Sequence, residues 1–256
     1  MIRSDLGEFY QKRKFDFANT LQKAQKEINL ISNLRILVAL LLLVAIYFSF
    51  LNIIFLLAAI PLLLAFIFLV VKHNWLYEQK TQLENLVKIN DLELQALKGN
   101  ISGFASGSEF IDPHHPYTHD LDIFGEGSLF QATNRGNTIN GKLLMAQRLS
   151  YPLTSTTDIV SHQQAIQELT TKTDFRQHFQ ASGMEMDEQR HDCEELLEWV
   201  RLPSFVYGSS RNKILLTVLP ILTVAAVITA FIISAAKPFA IGLALSQWII
   251  LGMYSK

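Results

Sequence analysis

The chain has 256 residues, with 22 basic and 23 acidic side chains, seven His and a single Cys. Half of the residues are hydrophobic, 18% are charged, and the mean hydropathy is +0.23. This composition excludes a disordered chain, a disulfide-rich secreted scaffold and a cysteine-based zinc module, and it disfavours an ordinary soluble domain, in which about a quarter of the residues are charged.

The charges are distributed unevenly along the chain. Residues 1–35 carry a net charge of +3, and residues 72–213 carry a net charge of −6. Residues 36–71 between them contain no charged side chain, and residues 214–256 contain only two lysines. Uncharged apolar segments of this length indicate a membrane protein.

Residues 36–71 predict a first transmembrane hairpin. They are mostly apolar, with one polar break at Asn52. A bilayer-spanning helix needs about 20 residues, so two helices joined by a tight turn at residues 49–52 fit better than one helix. Pro61 falls within the second of these helices, which membrane helices tolerate. A cleaved secretory signal is disfavoured because a second apolar helix follows at once, without a small-residue cleavage site.

Residues 214–255 predict a second transmembrane hairpin of the same design. Residues 214–236 are long enough to cross a membrane, Lys237 and Pro238 supply a turn and a helix start, and residues 239–254 return. The only charge in either outer turn is that of Lys237, whereas the opposite flanks of the spans are basic. The positive-inside rule therefore predicts a multi-pass protein of the cytoplasmic (inner) membrane, with both termini and the middle domain in the cytoplasm. The basic flanking residues are Lys12, Arg13, Lys14, Lys23, Lys26, Arg35, Lys72, Lys80, Arg201, Arg211 and Lys213.

Apolar stripes with helical spacing flank the first hairpin. Residues 1–35 predict an amphipathic N-terminal helix, and residues 72–119 predict a helix followed by a loop linker. The stripes consist of Phe17, Leu21, Ala24, Ile28 and Ile31, and of Leu83, Leu86, Asn90, Leu94 and Leu97. We expect the two helices to pair as an antiparallel extension of the hairpin; the alternative is two separate amphipathic helices lying on a membrane surface.

The linker ends in a loop rich in His and Asp. Adjacent His residues cannot easily face one ion without a scaffold, and prolines punctuate the segment, so we expect a solvated loop leading into a strand. A metal cluster is the alternative interpretation. The residues concerned are Asp112, His114, His115, His119, Asp120 and Asp122.

Residues 120–203 predict a small helical domain. Residues 121–124 alternate like a short strand or an extended entry segment, and Ser128 is a candidate N-cap for the helix that follows. Ser155 is a candidate cap for a helix over residues 159–171. The other predicted helices cover residues 141–149 and a stretch from Phe175 to Val200 that ends at Pro203.

Motifs that could carry chemistry are incomplete. Residues 136–142 match the phosphate-loop pattern G-x-x-x-x-G-K, but Leu143 stands where a hydroxyl would hold magnesium, and residues 130–134 are too short and polar for the buried strand that must precede it. Cys193 is flanked by carboxylates, which oppose thiolate formation. The sequence thus predicts no catalytic, cofactor or metal site in this chain.

Four basic residues are the candidates for contact with DNA or with a partner protein. Arg135, Lys142, Arg148 and Arg176 could form a local basic patch. The alternative is a mixed surface, because the domain is acidic overall and lacks the positive charge that dominates nucleic-acid affinity.

Four short pieces of the middle domain carry a family resemblance. Residues 121–131 contain Gly-Ser-Leu-Phe, and residues 138–144 read Thr-Ile-Asn-Gly-Lys-Leu-Leu. Residues 151–153 read Tyr-Pro-Leu, and residues 159–169 read Ile-Val-Ser-His-Gln-Gln-Ala-Ile-Gln-Glu-Leu. Over residues 120–179 this order resembles the core, or lever, domain of the MutS family of DNA mismatch-repair ATPases. Its members carry Gly-Ser-Leu-Phe, Thr-x-x-Gly before a Leu-containing helix, Pro-Leu, and an Ile-x-x-Arg-Gln-x-Ala-Val-x-Glu-Leu helix.

The resemblance implies that residues 136–142 are a turn between helices, with Gly141 and Leu144 packing the turn and its helix. His162 stands where the family has Arg. The family's Phe-x-Glu mismatch wedge belongs to a separate N-terminal domain; Phe124 and Glu126 match its letters but lie inside the core segment.

The resemblance also implies partners. The family's ATPase domain would lie beyond Lys256, so ATP and Mg²⁺ are implied for a downstream domain and not for this chain. The second predicted hairpin stands where the family inserts a DNA clamp. Family members form dimers, and the seam-like stripes likewise favour self-association.

The sequence therefore predicts a mainly α protein, in which two transmembrane helical hairpins flank a small cytoplasmic domain like the MutS core. The implied function is a membrane-anchored MutS-like fragment that takes part in mismatch repair or DNA-structure binding, coupled to the downstream ATPase. The alternative is a membrane-anchored scaffold or signalling protein whose helical domain binds another protein. A transporter subunit is disfavoured because no ionisable residue lies within a predicted span.

Overall fold

The computed structural model describes residues 2–49, 52, 54–186, 192–201, 210–233 and 236–254. These residues are mainly helical and include no strand. The chain divides into two units, Met1–Gln189 and Arg190–Lys256. The helices are α1 (Ile2–Ser49), α2 (Ile54–Leu97), α3 (Leu129–Thr133), α4 (Ile139–Ser150), α5 (Thr156–Thr170), α6 (Thr173–Met184), α7 (Asp192–Arg201), α8 (Ser210–Ile232) and α9 (Lys237–Tyr254).

Helices α1 and α2 pack against each other along an antiparallel hairpin. Asn52 organises the start of α2: its side-chain oxygen accepts from the Ile54 N–H at 3.0 Å, and its carbonyl accepts from the Phe55 N–H at 3.1 Å. The Ser49 hydroxyl donates to the Ile46 carbonyl at 2.6 Å and so satisfies itself within α1. These hydrogen bonds leave the polar side chains described at this end of the hairpin partnered within the chain.

The charged ends of α1 and α2 are paired at residues 4–35 and 72–97, which we call the base of the hairpin. Leu86 and Ile89 are buried there, and Phe17 and Leu83 pack against their cluster. Contact between the two apolar stripes favours the paired interpretation over separate surface helices. Both helices continue without a break into the uncharged segments, so base and apolar segments share two continuous backbones.

The uncharged segments, residues 36–49 and 54–71, form the apolar arm of the hairpin. By length and composition, α1 and α2 are each apolar and long enough to cross a membrane. The candidate segments are Ser4–Ser49 and Leu57–Leu97. Only 6% of the most apolar window of each is buried within the protein. A core helix of a soluble domain would be mostly buried, so these windows are not core helices of the described fold.

Residues 98–186, which we call the cap, fold over the base. Their core contains Ile123, Phe124, Phe130 and Ala146, with partly buried rings packed around them. The Tyr117 hydroxyl lies 2.6 Å from the Leu149 carbonyl and ties the loop to the end of α4. Helix α6 packs on α2, and α5 packs on α6.

The expected strand at residues 121–124 is wrong. This segment forms turns, and Asp122 adopts a left-handed conformation with φ of 48°. The consecutive residues Ile123 and Phe124 are both buried, which the alternating faces of a strand would not allow on a single-sided core. The Ile123 N–H donates to the Thr118 carbonyl at 3.0 Å instead of to a neighbouring strand.

The predicted helix caps are confirmed. The Ser128 hydroxyl accepts from the Gln131 N–H at 3.2 Å at the start of α3. The Ser155 hydroxyl accepts from the Asp158 N–H at 3.5 Å at the start of α5. Each cap satisfies a backbone donor that the first helical turn leaves free.

The second unit consists of α7, α8 and α9. Helices α8 and α9 pack against each other, and an apolar helical segment spans Leu216–Ala230. Cys193 lies in the first turn of α7, and its side chain is outside the described part of the chain. The predicted helix end at Pro203 also lies outside the described residues.

We expect Leu86→Ala to lower the free energy of unfolding by about 2–5 kcal/mol, because Leu86 is 1% exposed and its truncation leaves a cavity in the base. The matched control is Leu30→Ala on α1, where Leu30 is 61% exposed and a change below about 0.5 kcal/mol is expected. Unfolding of the full chain in mixed detergent micelles measures both. Equal losses in the two variants would contradict the packing of the base.

Candidate functional site: the junction of hairpin and cap

A buried amide pair joins the hairpin to the cap. Asn90 on α2 is 0% exposed and Gln177 on α6 is 5% exposed. The Gln177 amide donates to the Asn90 side-chain oxygen at 3.0 Å, and the Asn90 amide donates back at 3.2 Å. The Asn90 amide also donates to the Leu86 carbonyl at 2.8 Å. Buried side-chain amides must find such partners, so this pair fixes the register of α6 on α2.

Arg13 extends this link to α1. Its Nε donates to the Gln177 side-chain oxygen at 2.9 Å, and its Nη2 donates to Asp174 at 2.6 Å. The guanidinium lies 5.6 Å from the Phe9 ring centroid and 5.3 Å from that of Phe17. The Asp174 side chain is 79% exposed, so its ion pair contributes little and the buried amide pair matters more. We call Arg13, Asn90 and Gln177 the polar latch.

A second connection fixes the loop after α3 to α2. Arg135 Nε lies 2.6 Å from one Glu93 carboxylate oxygen, and Nη2 lies 3.2 Å from the other. The Arg135 Nη1 donates at 3.0 Å to the carbonyls of Ala132 and Asn134. The guanidinium also lies 3.8 Å from the Phe104 ring centroid. This bidentate, stacked geometry is specific to arginine.

Between these two connections lies a cleft of about 500 Å³. Tyr10 of α1, Glu93 of α2, Arg135 and two residues of α6, Arg176 and Phe179, are among its lining. Burial raises the pKa of Tyr10, and the Glu93 carboxylate adds to this effect, whereas the nearby arginines act against it. The phenol is therefore a neutral hydrogen-bonding group at physiological pH.

A surface ion pair lies further along the base. Lys14 donates to Asp91 at 2.6 Å, and Gln95 donates to the other oxygen of the same carboxylate at 2.8 Å. These hydrogen bonds lower the pKa of Asp91. The pair joins α1 to α2 but takes no part in the cleft.

The four basic residues proposed for DNA or partner contact have different surroundings. Arg135 and Arg176 both line the cleft, and Lys142 lines a smaller cavity of about 110 Å³ that Arg135 also borders. Arg148 lies in the last turn of α4 and is exposed. The charge of Arg135 is compensated by Glu93, and Arg176 donates to the Thr170 carbonyl at 3.3 Å. Among the described residues, Arg135 is thus the member of the set that forms an ion pair, whereas Arg176 donates only to Thr170 and Thr173, and Lys142 and Arg148 form neither an ion pair nor a side-chain hydrogen bond.

Residues 136–138 belong to the link between α3 and α4, and residues 139–142 form the first turn of α4. The Thr138 hydroxyl accepts from the Gly141 N–H at 3.1 Å and caps α4. A Cβ on Gly141 would lie 2.9 Å from that hydroxyl, so a larger residue there would require the Thr138 side chain to shift. The Asn137 amide donates to the Gln180 carbonyl at 3.2 Å and ties the turn to α6. The polar groups of Asn137, Thr138 and Gly141 thus serve the fold, and the turn implied for residues 136–142 is shorter than expected because α4 begins at Ile139.

The His-rich loop is organised by its own hydrogen bonds. Asp112 accepts from the His114 N–H at 2.9 Å, and the His115 Nδ1 accepts from the Tyr117 and Thr118 N–H groups at 3.4 and 3.3 Å. Within the described ranges, no three His, Cys, Asp or Glu side chains are grouped so that they could hold a metal ion.

Sequence reasoning identified Asn90 as part of the seam but missed Arg13, Glu93 and Gln177. An Asn inside an apolar stripe signals a buried polar contact, but its partner lies 87 residues away on another helix. Comparisons with protein families, curated proteins and solved structures find no match to this chain.

We expect Asn90→Leu and Gln177→Leu each to cost about 1–3 kcal/mol of stability, because each leaves the other buried amide without its partner. The double variant should cost clearly less than the sum, since it removes both amides together. Unfolding of all four proteins in mixed micelles completes the cycle. Additive losses would mean that the two amides do not act as a pair.

Proposed function

We propose that this chain is a membrane-anchored module with a cap like the MutS core, which relays conformational changes between an ATPase domain and DNA or a protein partner at the membrane surface. The observation that carries the proposal is the continuity of α1 and α2 from the exposed apolar arm to the charged base that holds the cap. A cap fixed to the base by the polar latch must follow any movement of these two helices.

Insertion of the apolar arm into a bilayer is supported by its exposure. Leu43 is 63% exposed, Leu64 is 63% exposed and Phe68 is 67% exposed, and they belong to an uncharged surface on both helices. Contiguous apolar surface of this kind is unfavourable in water and marks a membrane or protein contact. The internal hydrogen bonds of Ser49 and Asn52 suit an end of the hairpin that passes through hydrocarbon.

The orientation follows from the charges. Basic side chains dominate residues 1–35, and the apolar arm has none. With α8 and α9 as a second hairpin, the positive-inside rule directs both termini and the cap to the cytoplasm. The protein would then be a multi-pass protein of the inner membrane.

The resemblance to the MutS core is supported by where its pieces fall. The Gly-Ser-Leu-Phe run enters α3 with its Ser as N-cap, Thr138 caps α4, and residues 159–169 lie within α5. Part of the turn implied for residues 136–142, residues 136–138, lies in the link between α3 and α4, whereas residues 139–142 begin α4. An ATP- and Mg²⁺-binding domain downstream and a homodimer belong to the same proposal.

A protein-binding scaffold is the second candidate, favoured by the outer surface of the cap. Ile166 is 65% exposed, Phe175 is 58% exposed and Phe179 is 73% exposed. The rings of Phe175 and Phe179 stack with centroids 6.0 Å apart. Exposed apolar side chains grouped on a small domain are typical of a contact with another protein.

We expect single cysteines introduced into a Cys193→Ser chain to report this orientation. In cells that express the chain in an inner membrane, Ser49→Cys should react with an impermeant maleimide added from outside. Gln147→Cys, on exposed α4, should react only after the membrane is broken. Labelling of Gln147→Cys in intact cells would overturn the orientation, and release of the chain by alkaline carbonate would overturn the anchoring.

Any DNA binding should be weak, salt-dependent and similar for matched and mismatched duplexes. The reason is that the Phe-x-Glu wedge of the MutS family belongs to a separate domain and has no counterpart in the cap. Gel shifts with the full chain in detergent, across a salt series, measure it. Lys142→Gln with Arg148→Gln should reduce the log–log salt slope by about two, since each phosphate contact accounts for about one.

The control for this measurement is Lys12→Gln with Lys98→Gln, which removes the same charge from α1 and from the residue that follows α2 and should leave the slope unchanged. Mismatch discrimination by the wild type would contradict the expected mode of binding. Absence of binding to either duplex at low salt would remove DNA from the proposal and favour the protein-binding scaffold.

A further inference from the structure

Unpaired cations lie where the apolar arm meets the base. Arg35 is the last charge on α1 before the arm, and Lys72 is the first charge on α2 after it. Within the described part of the chain, no carboxylate lies within ion-pair distance of either side chain. Deeper in the base, by contrast, Arg13 and Lys14 both form ion pairs.

Aromatic rings accompany the cations on α2. The Lys72 ammonium lies 4.2 Å from the Trp75 ring centroid, and the Lys80 ammonium lies 5.1 Å from that of Tyr77. Trp75 is 46% exposed and Tyr77 is 52% exposed, whereas Leu76 between them is 2% exposed. Leu76 points into the hairpin, so at 100° per residue the two cation–ring pairs lie on opposite sides of the seam. We call Arg35, Lys72, Trp75, Tyr77 and Lys80 the basic–aromatic collar.

The carboxylates near the collar are too few to neutralise its positive charge. Between Lys72 and Lys80 the sequence has one carboxylate, Glu78. It lies two positions from Leu76 and therefore on the outer side of α2, away from the seam. Glu84 lies 3.6 Å from Lys80, but its side chain is 51% exposed, so this pair is loose and exchangeable. Arg35 and Lys72 are thus the cations most available to an external anion.

The chemistry of the collar matches a phospholipid headgroup. Tryptophan and tyrosine favour the headgroup level of a bilayer, because their rings are apolar and their N–H and O–H groups are polar. Guanidinium and ammonium groups bind phosphate through charge-assisted hydrogen bonds. Lysine and arginine side chains at the end of a span extend toward that level.

We propose that the basic–aromatic collar binds the phosphate groups of anionic phospholipids and so fixes the depth of the hairpin in the membrane. This proposal rests on the insertion of the apolar arm proposed above. Each basic side chain near an anionic surface is expected to favour binding about fivefold. Anionic lipid should therefore collect around the collar in preference to zwitterionic lipid.

The test uses Trp75 as the reporter at the collar. A full chain with Trp199→Phe and Trp248→Phe, reconstituted into phosphatidylcholine vesicles, retains Trp75 as its one tryptophan. Quenching of Trp75 by brominated phosphatidylcholine reports insertion of the hairpin. The ratio of quenching by brominated phosphatidylglycerol to that by brominated phosphatidylcholine reports the preference of the collar.

We expect phosphatidylglycerol to be preferred about fivefold or more at low salt, and the preference to approach one in Arg35→Gln with Lys72→Gln. The matched control is Lys12→Gln with Lys98→Gln. Lys12 lies about 35 Å along α1 from Arg35, and Lys98, directly after α2, lies about 39 Å from Lys72 at the helical rise. Both distances exceed the range of screened charge interactions. The control should keep the wild-type preference.

Two results would overturn the proposal while leaving membrane anchoring intact: equal quenching by both brominated lipids in the wild type, or an equal loss of preference in the control and the collar variant. Absence of quenching by either lipid would overturn membrane insertion, and the lipid site with it. Quenching by brominated phosphatidylcholine thus separates failure of the lipid site from failure of the anchor.

Discussion

The rest of the first unit depends on α1 and α2, each of which is one continuous helix. One part of each helix is apolar and exposed, and the other part is charged and packs against the cap. In α1 and α2 the same hydrogen-bonded ladder runs from an exposed, uncharged arm to a charged base covered by the cap. A helix transmits a displacement along its axis because each turn is bonded to the next. The position of the cap is thus tied to that of the arm, whatever surrounds the arm.

Polar contacts, more than apolar burial, decide how the cap lies on the base. The apolar cluster there is small, with Leu86, Ile89 and Ala181 buried. Apolar contacts are non-directional, whereas the amide pair of Asn90 and Gln177 is satisfied in one register only. A buried pair of this kind is costly to break, because each amide would lose its partner without gaining water. It therefore specifies the docking of α6.

The same contacts limit what the cap can bind. Arg135 contacts Glu93 through its Nε and Nη2, and its Nη1 donates to backbone carbonyls, which leaves little of its charge for an external anion. The backbone N–H groups of Gly136 and Gly141 donate to the side chains of Asn134 and Thr138, so these N–H groups stabilise the fold. The exposed surface of the cap carries apolar rings, isolated cations and many carboxylates, among them Asp112 and Asp120, a combination more typical of protein contacts than of a nucleic-acid surface.

The sequence by itself determined the helical class, the uncharged segments and the caps at Ser128 and Ser155, because these depend on local composition and on side chains within a few residues. Only the tertiary structure decided that residues 121–124 turn instead of extending, since Ile123 and Phe124 enter a core built from distant residues. The latch was likewise beyond the sequence: Arg13, Asn90 and Gln177 lie on three helices far apart in the chain, and no spacing rule links them. Local hydrogen bonding and hydropathy can be read from neighbouring residues, whereas the partner of a buried polar group depends on how the helices meet.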